Sequence, residues 1–332
     1  MRGWHGTEHG EPGDVLRLVD DLGSPETAPG EVKIAVEAAN VNFADILQCR
    51  GTYQERPPMP FTPGIEACGR VLESRTNGVE VGQRVVSMCR PGAGGFAEEA
   101  VLRGAGVLPV PDDVPAEHAT ILYTTYQTSH VALFHRARLA EGDWLLVHAA
   151  AGGVGSSAVQ LGAAAGAKVI ATAGGADKVE RAMLLGADHA LDSALVESGE
   201  LDLRATIREL TDGHGIDVAY DPVGGELGDL TRRVMAWEGR LLPIGFAAGG
   251  PVEYPGNHLL VKNYDVLGVY WGSYLQPGRR HIIEHAHDEL MRWYLEGRIV
   301  PPWVETVALE GVIGGLDRLA ARQVIGRLVV TP

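Results

Sequence analysis

Cysteine is scarce. The 332 residues contain three, Cys49, Cys68 and Cys89, too few for a framework of paired bridges, so reduced thiols are expected. No apolar run reaches the roughly 18 residues a membrane-spanning helix needs, which excludes a membrane partner of that kind. No apolar signal region follows Met1-Arg2-Gly3-Trp4-His5, and a cytoplasmic location is the expectation. Positive charge is in short supply: 28 Lys and Arg stand against 43 Asp and Glu, a net charge of −15. Phosphate would be repelled over most of such a surface, so no nucleic-acid partner is expected, although a local cationic pocket for one phosphorylated cofactor is compatible with it. The 44 glycines follow no fixed period, which argues against a repeat architecture.

What is present is the balance of a globular protein, 45% apolar and 21% charged, in a chain long enough for two domains. The first part reads as short strands broken by turns. Glu31 to Glu37 alternates apolar and polar residues, the period of a half-buried strand. Pro57, Pro58, Pro60 and Pro63, then Gly64, make a turn-rich segment incompatible with helix. Cys68 to Leu72, Arg84 to Met88 and Phe96 to Val101 are further strands. This half is expected to be mainly β and barrel-like.

Near residue 120 the pattern changes to alternating strands and helices, the signature of a parallel sheet with crossover helices. Strands are expected at Trp144 to Ala149, Lys168 to Ala173, Ile216 to Tyr220, Gly239 to Phe246 and Asp265 to Tyr270. Helices are expected at Ser156 to Ala165, Asp177 to Leu185 and Leu203 to Leu210. Roughly six strands make a doubly wound sheet. In the tail, Arg279 to Glu296 reads as a long helix stopped by Gly297. The tail is expected to rejoin the first domain, so that residues 1–122 and 273–332 form a discontinuous substrate-facing domain and residues 123–272 the dinucleotide-binding one. The fold class is therefore α/β.

The strongest local signal is Leu145-Leu146-Val147-His148-Ala149-Ala150-Ala151-Gly152-Gly153-Val154-Gly155. A buried strand enters a glycine turn that opens a helix of small residues, a Rossmann fingerprint with Ala150 at the first glycine position and Gly152 and Gly155 at the second and third. Gly152 lets backbone approach a pyrophosphate, and Gly155 lets helix pack closely on strand. The helix N-terminus then offers unpaired N–H groups to phosphate. Ala151, Gly152, Gly153, Val154 and Gly155 are thus cofactor candidates. An NAD site usually carries Asp or Glu at the end of the second strand. Here the sequence is Ala171-Thr172-Ala173-Gly174-Gly175-Ala176-Asp177-Lys178: the tip is neutral, Lys178 follows, and Asp177 starts the next helix. A 2′-phosphate suits that turn, so NADPH is the expected cofactor.

With that turn in place, the chain resembles the medium-chain dehydrogenase/reductase superfamily and, within it, the zinc-independent quinone oxidoreductase branch that includes zeta-crystallin. The resemblance spans essentially the whole chain and rests on motifs in family order. They include Val41-Asn42-Phe43-Ala44-Asp45, Gly51-Thr52-Tyr53, Pro60-Phe61-Thr62-Pro63-Gly64 and Gly94 to Glu99, then Asp221-Pro222-Val223-Gly224-Gly225 and Gly268-Val269-Tyr270-Trp271-Gly272. It implies a GroES-like first domain, a Rossmann domain, and a cofactor in the cleft between them. It also implies a homodimer through the Rossmann sheet edge, at Asp265 to Tyr270.

Aligned on the family's motifs, Asn42 stands where zinc-dependent members carry a ligating cysteine, and Ile65 replaces the histidine of their Gly-His-Glu motif. Neither is a competent zinc ligand, the four-cysteine lobe is missing, and His285 and His287 of the His281/His285/His287 group cannot share one helical face, so no metal is expected. Without a Lewis acid the acceptor must already take hydride readily, as quinones and α,β-unsaturated carbonyls do. The resemblance places Asn42, Tyr53 and Thr128 at the nicotinamide end as catalytic candidates, with Tyr126 facing the same cleft. It places Gly174, Lys178 and Arg322 at the 2′-phosphate, and Gly245, Phe246, Val269 and Trp271 in the loops that hold the carboxamide. Asp192 stands where many relatives carry a tyrosine against the adenosine, and its charge would oppose a 2′-phosphate. The expected activity is NADPH-dependent reduction of a quinone or enone. The alternatives are reduction of an enoyl thioester or biosynthetic enone, and a non-catalytic NADPH-binding role.

Overall fold

The alternating run after Glu31 becomes the spine of the first unit. The structure is a computed structural model that describes residues 1–332 apart from Gly249, Pro251, Pro277 and Arg322. Two compact units emerge: Met1–Thr124 with Leu275–Met291 and Val300–Pro332, and Thr125–Tyr274 with Arg292–Ile299.

In the first unit, β1 (Gly3–Gly6) and β2 (Leu16–Val19) form an antiparallel ribbon, with a single-turn helix α1 (Pro12–Val15) between them. The main sheet is built on β3 (Glu31–Asn40), which pairs with β4 (Glu66–Ser74) and β6 (Glu99–Arg103); β4 continues to β5 (Arg84–Met88) and β7 (Leu108–Pro109). Trp4, Ile34, Phe61, Phe96 and Leu102 fill the core. Helix α2 (Phe43–Cys49) interrupts this mainly β unit. Its start is set by Asp45, whose Oδ2 accepts the Asn42 backbone N–H at 2.7 Å, satisfying an amide that a helix start would otherwise leave open. The Phe96 strand begins three residues late, because Gly95 and Phe96 donate their N–H groups to Gly64 and Pro63 instead of to a strand. Helix α3 (Ala116–Ile121) ends this stretch.

The second unit opens with a π-helical stretch, Leu122–Tyr126, in which the division between units falls, followed by α4 (Gln127–His130) and a second π-helical stretch, Val131–Arg136. Short π segments cost regular helical hydrogen bonding and concentrate at functional sites. Six parallel strands follow: β8 (Trp144–Val147), β9 (Lys168–Ala173), β10 (His189–Asp192), β11 (Ile216–Asp221), β12 (Met235–Pro243) and β13 (Asp265–Val266). Their order, β10-β9-β8-β11-β12-β13, is that of a doubly wound sheet. The crossovers are α5 (Gly153–Ala164), α6 (Ala176–Leu184), α7 (Ser193–Glu197), α8 (Leu203–Leu210), α9 (Gly225–Thr231) and α10 (Gly256–Lys262). The small residues of α5 have a packing reason: a Cβ at Gly162 would stand 2.4 Å from Leu145 Cδ2, so only glycine admits this approach to β8. The last strand is shorter than the expected Asp265 to Tyr270; β13 holds two residues at the sheet edge, and the chain then leaves the ladder.

Helix α11 (Arg280–Leu295) comes next, then β14 (Val304–Val307), α12 (Val312–Ala320) and β15 (Arg327–Val330), which adds β14 and β15 to the first unit's sheet beside β3. Leu275–Met291 and Val300–Pro332 group with the first unit. Residues 292–299 belong to the second unit, because the Trp293 ring packs edge-on against Phe134 at 5.8 Å and Arg298 donates to the Ala164 carbonyl at 2.6 Å. On α11, His281 and His285 are exposed, whereas His287 is buried and bonds the Pro109 carbonyl through Nε2.

Candidate active site

In the second unit every candidate loop follows the carboxyl end of a parallel strand, where doubly wound sheets bind ligands. After β8 the chain turns sharply: Ala149 takes the left-handed φ of 50°, Gly152 donates its N–H to the Ala149 carbonyl at 2.8 Å, and α5 starts at Gly153. The two fingerprint glycines do different things. A Cβ on Gly155 would lie 2.2 Å from the Ala149 carbonyl oxygen, so this glycine holds helix against turn. A Cβ on Gly152 would meet only that oxygen, at 3.2 Å; its open side is the cradle that a side chain would fill and a pyrophosphate needs. The first turn of α5 is anchored from below. Val154 O accepts from Ser157 and Ser129, and Ser129 Oγ also lies 2.8 Å from the Tyr220 hydroxyl.

His148, just before the turn, is fully buried between two hydroxyls, Thr172 Oγ1 at 2.8 Å from Nδ1 and Thr231 Oγ1 at 2.6 Å from Nε2. Thr231 already donates to the Leu227 carbonyl, so it accepts from Nε2–H, and Thr172 donates to Nδ1. That assigns the neutral tautomer, in keeping with burial pushing the imidazole pKa down. The imidazole ties β8, β9 and α9 together at the root of the phosphate turn.

At the tip of β9, Gly174 is exposed and Gly175 adopts a left-handed φ of 90°. Lys178 lies half-buried in the first turn of α6 with no carboxylate partner among the described residues. Asp192, read from sequence as a charge opposing the cofactor, instead holds the backbone in place. Its Oδ1 accepts the N–H groups of Gly175 and Ala194, both at 2.9 Å, which pins the Gly174–Gly175 turn and caps α7.

The other loops of this unit come to the same end of the sheet. Ile244 and Gly245 donate their N–H groups to the Asp221 carbonyl, leaving Phe246 exposed. Val269 is half-buried and Trp271 almost fully buried. Thr128 is half-buried on α4, and its neighbour Gln127 accepts the Trp271 indole N–H at 3.3 Å. Tyr126, expected to face the cleft, is fully buried at the end of the first π-helical stretch. Arg322 lies outside the described residues.

Asn42 and Tyr53 belong to the first unit. Asn42 is part of a buried polar network that sequence reading did not foresee. Its Nδ2 donates to Glu66 Oε1 at 2.7 Å, and its Oδ1 accepts from Arg327 at 2.9 Å. Glu66 also accepts from Asn40 Nδ2 and from the Thr124 hydroxyl. Burial pushes the Glu66 carboxyl up, opposed by the Thr124 and Asn42 hydrogen bonds, the Arg327 charge and the Asn40 bond. Asp45 beside it is pushed up to about 7 by burial, against backbone N–H groups of Asn42, Ile65 and Gly64. In the sequence Glu66 is only the last residue of the Gly64-Ile65-Glu66 triplet and Arg327 only a residue of the tail, and nothing local joins them.

Ile65 is buried, and its backbone N–H binds Asp45. A small cavity here is lined by Tyr53, Gln48, Thr62, Ile65, Met88 and Arg103, with Arg103 paired to Glu55 at 2.6 Å. The thiols are buried and inert: burial pushes Cys49 up to about 12 and Cys68 and Cys89 further. Among the described residues no three His, Cys, Asp or Glu side chains are grouped to hold a metal, and no helix is long and apolar enough to cross a membrane.

Comparison with known proteins agrees with this geometry. Residues 28–112 match the alcohol dehydrogenase GroES-like domain and residues 153–290 the zinc-binding dehydrogenase domain. The chain is 33% identical to the quinone oxidoreductase-like protein 2 homolog of Nematostella vectensis, covering 96% of this chain and 87% of that one. It superposes on the quinone oxidoreductase of Pseudomonas syringae pv. tomato DC3000 with a TM-score of 0.88 at 29% identity, over 100% of this chain and 99% of that one. For the quinone oxidoreductase of Thermus thermophilus, solved also in complex with NADPH, the TM-score is 0.82 at 29% identity over the whole of both chains. The chain thus belongs to the medium-chain dehydrogenase/reductase superfamily of oxidoreductases, in its quinone oxidoreductase branch.

Proposed function

We propose that the protein transfers hydride from NADPH to a quinone or an α,β-unsaturated carbonyl, without a metal ion. The observation that carries this reading is the second unit's ligand end: an open glycine cradle at Gly152, and beyond it the Gly174–Gly175 turn, which Asp192 pins from β10 and where Lys178 has no carboxylate partner among the described residues. In NADPH the pyrophosphate suits the N–H groups of Gly152 to Gly155, and the 2′-phosphate suits Lys178 with the Gly174 backbone. Thr128, Gly245, Phe246, Val269 and Trp271 would hold the nicotinamide half. The bound cofactor supplies the hydride. The chain's own part is to orient the acceptor and support the developing oxyanion, for which the Tyr53 hydroxyl is the candidate donor.

The metal-free part rests on residue chemistry: an aliphatic Ile65, and an Asn42 whose amide is committed to Glu66 and Arg327. We further propose a homodimer through the β13 edge, where unpaired backbone is flanked by the exposed Leu260, Val261 and Tyr270. Steady-state NADPH oxidation with a panel of quinones and enones, on protein assayed for zinc, tests the function. No turnover on either class, or one zinc per chain required for activity, refutes it.

A further inference from the structure

Gln127 is fully buried at the start of α4, and its carboxamide is half satisfied. The Trp271 indole N–H, a donor with no acceptor capacity, points at Gln127 Oε1 at 3.3 Å. This contact fixes the amide's orientation, since a flipped amide would set two donors against each other. The NH2 group is therefore left facing elsewhere, and among the described residues it meets no acceptor. Buried donors without partners are rare in folded proteins and costly, and a missing ligand is one recognised reason for them.

The place of this orphan narrows the ligand. Ser129, two residues on, bonds Val154 O in the first turn of α5 at 3.1 Å, so α4 packs directly against the phosphate turn. Trp271 lies in the segment that leaves the carboxyl end of β13, the ligand-binding end of the sheet. Both flanks of the amide thus belong to the dinucleotide end of the second unit, on the side where Thr128 and Val269 also lie.

We infer that Gln127 is a cofactor-binding residue whose amide NH2 donates to an acceptor oxygen on the nicotinamide riboside half of the dinucleotide. The inference rests on the NADPH reading above. It gives the Gln127–Trp271 pair a division of labour: the indole sets which way the amide points, and the amide reads an oxygen of the ligand. An adenosine-half ligand lacking the nicotinamide riboside would not engage it.

The test compares NADPH with 2′,5′-ADP, which carries only the adenosine half, by titration calorimetry on the full chain. Gln127→Glu keeps an oxygen for the Trp271 indole and replaces the donor, and Gln127→Met removes the donor without adding charge. Both should weaken NADPH by about 10- to 150-fold while 2′,5′-ADP stays within about two-fold of wild type. If either folded variant binds NADPH as wild type does, the amide is satisfied otherwise, by buried water for instance, and the inference is overturned. Equal weakening of both ligands also overturns it, because Gln127 would then act on the whole site through the fold. If the wild type binds neither ligand, the NADPH reading itself fails and takes the inference with it.

Discussion

Gly152 and Gly155 stand three residues apart in one turn, yet replacing each with alanine should break different things. At Gly155 the new Cβ would sit 2.2 Å from the Ala149 carbonyl oxygen, 2.7 Å from its carbon and 3.0 Å from Ala150 Cα. All three are backbone atoms, so nothing can rotate away and the helix must lift from the turn by about 1 Å. Overpacking of that kind costs about 1–3 kcal/mol, against a gain of about 1 kcal/mol from replacing a helical glycine. The net loss, up to about 2 kcal/mol, lowers Tm by up to roughly 8 °C for a unit of this size. At Gly152 the backbone is ordinary extended chain, φ −86° and ψ 179°, and the nearest atom is 3.2 Å away. Alanine fits there, and the reduced freedom of the unfolded chain offsets the tight contact to within about 1 kcal/mol. What the methyl removes is the space for phosphate, so NADPH affinity should fall by about 10- to 100-fold, or ~1.4–2.7 kcal/mol. Thermal melts and NADPH titrations on both variants separate the two effects. A Gly152→Ala protein with wild-type NADPH affinity would falsify the placement of the pyrophosphate at this turn. A Gly155→Ala protein that melts above the wild type would show that helix and turn are not held at contact distance.

Three further outcomes follow from named groups. Lys178→Ala should narrow the preference for NADPH over NADH, with one charge-assisted contact worth about 1.5–3 kcal/mol or roughly 10- to 150-fold in affinity; equal affinities for the two dinucleotides in the wild type would remove the cofactor assignment. Tyr53→Phe should fold and bind NADPH normally while enone turnover falls roughly 30- to 150-fold, with a smaller drop for a quinone that needs no proton donor; unchanged turnover on both reduces Tyr53 to a wall of the cavity. Buried neutral His148 has its pKa held below the unfolded value of about 6.5, so its contribution is present above that pH and is lost as the unfolded chain takes up the proton below it. The wild type should therefore lose more Tm than His148→Gln between pH 7 and 5, and parallel losses would exclude His148 as the titrating group.

The legible parts of the fold were those with local signals. Lys168 to Ala173 and Arg84 to Met88 are legible to the residue, because both are short apolar runs bounded by charge or turn residues. Helix α2 is not, because its start depends on Asp45 accepting the Asn42 N–H, and the motif around them points to metal chemistry instead. The end of β13 is misjudged from sequence because Leu267 to Trp271 is as apolar as a strand, while its exit from the ladder is decided by tertiary contacts such as Arg136 donating to the Gly268 carbonyl. The glycine turn is legible as a strand-to-helix connection, although β8 ends two residues earlier and α5 starts three residues earlier than the sequence pattern suggests. The Glu66 network is not: it joins Asn40, Asn42, Glu66, Thr124 and Arg327 across nearly the whole chain, and no window of sequence contains two of its charged members.

That network changes what Asn42 can contribute. An amide offers two N–H donors and two lone pairs on its oxygen. One side of Asn42 donates to Glu66 at 2.7 Å, with the Asn40 carbonyl at 3.4 Å from the same nitrogen. The oxygen accepts from the Arg327 guanidinium at 2.9 Å. Little remains to donate to an oxyanion, because withdrawing the NH2 would leave the buried Glu66 carboxyl short of a partner, a loss larger than one new hydrogen bond returns. The contacts of Asn42 are those of a positioning residue: it ties the start of α2 to β4 and β15, with Asn40 Nδ2 a second, longer donor to its oxygen at 3.5 Å. Of the polar candidates in the first unit, Tyr53 is then the one to test as the proposed oxyanion partner, since it lines the cavity beside Ile65.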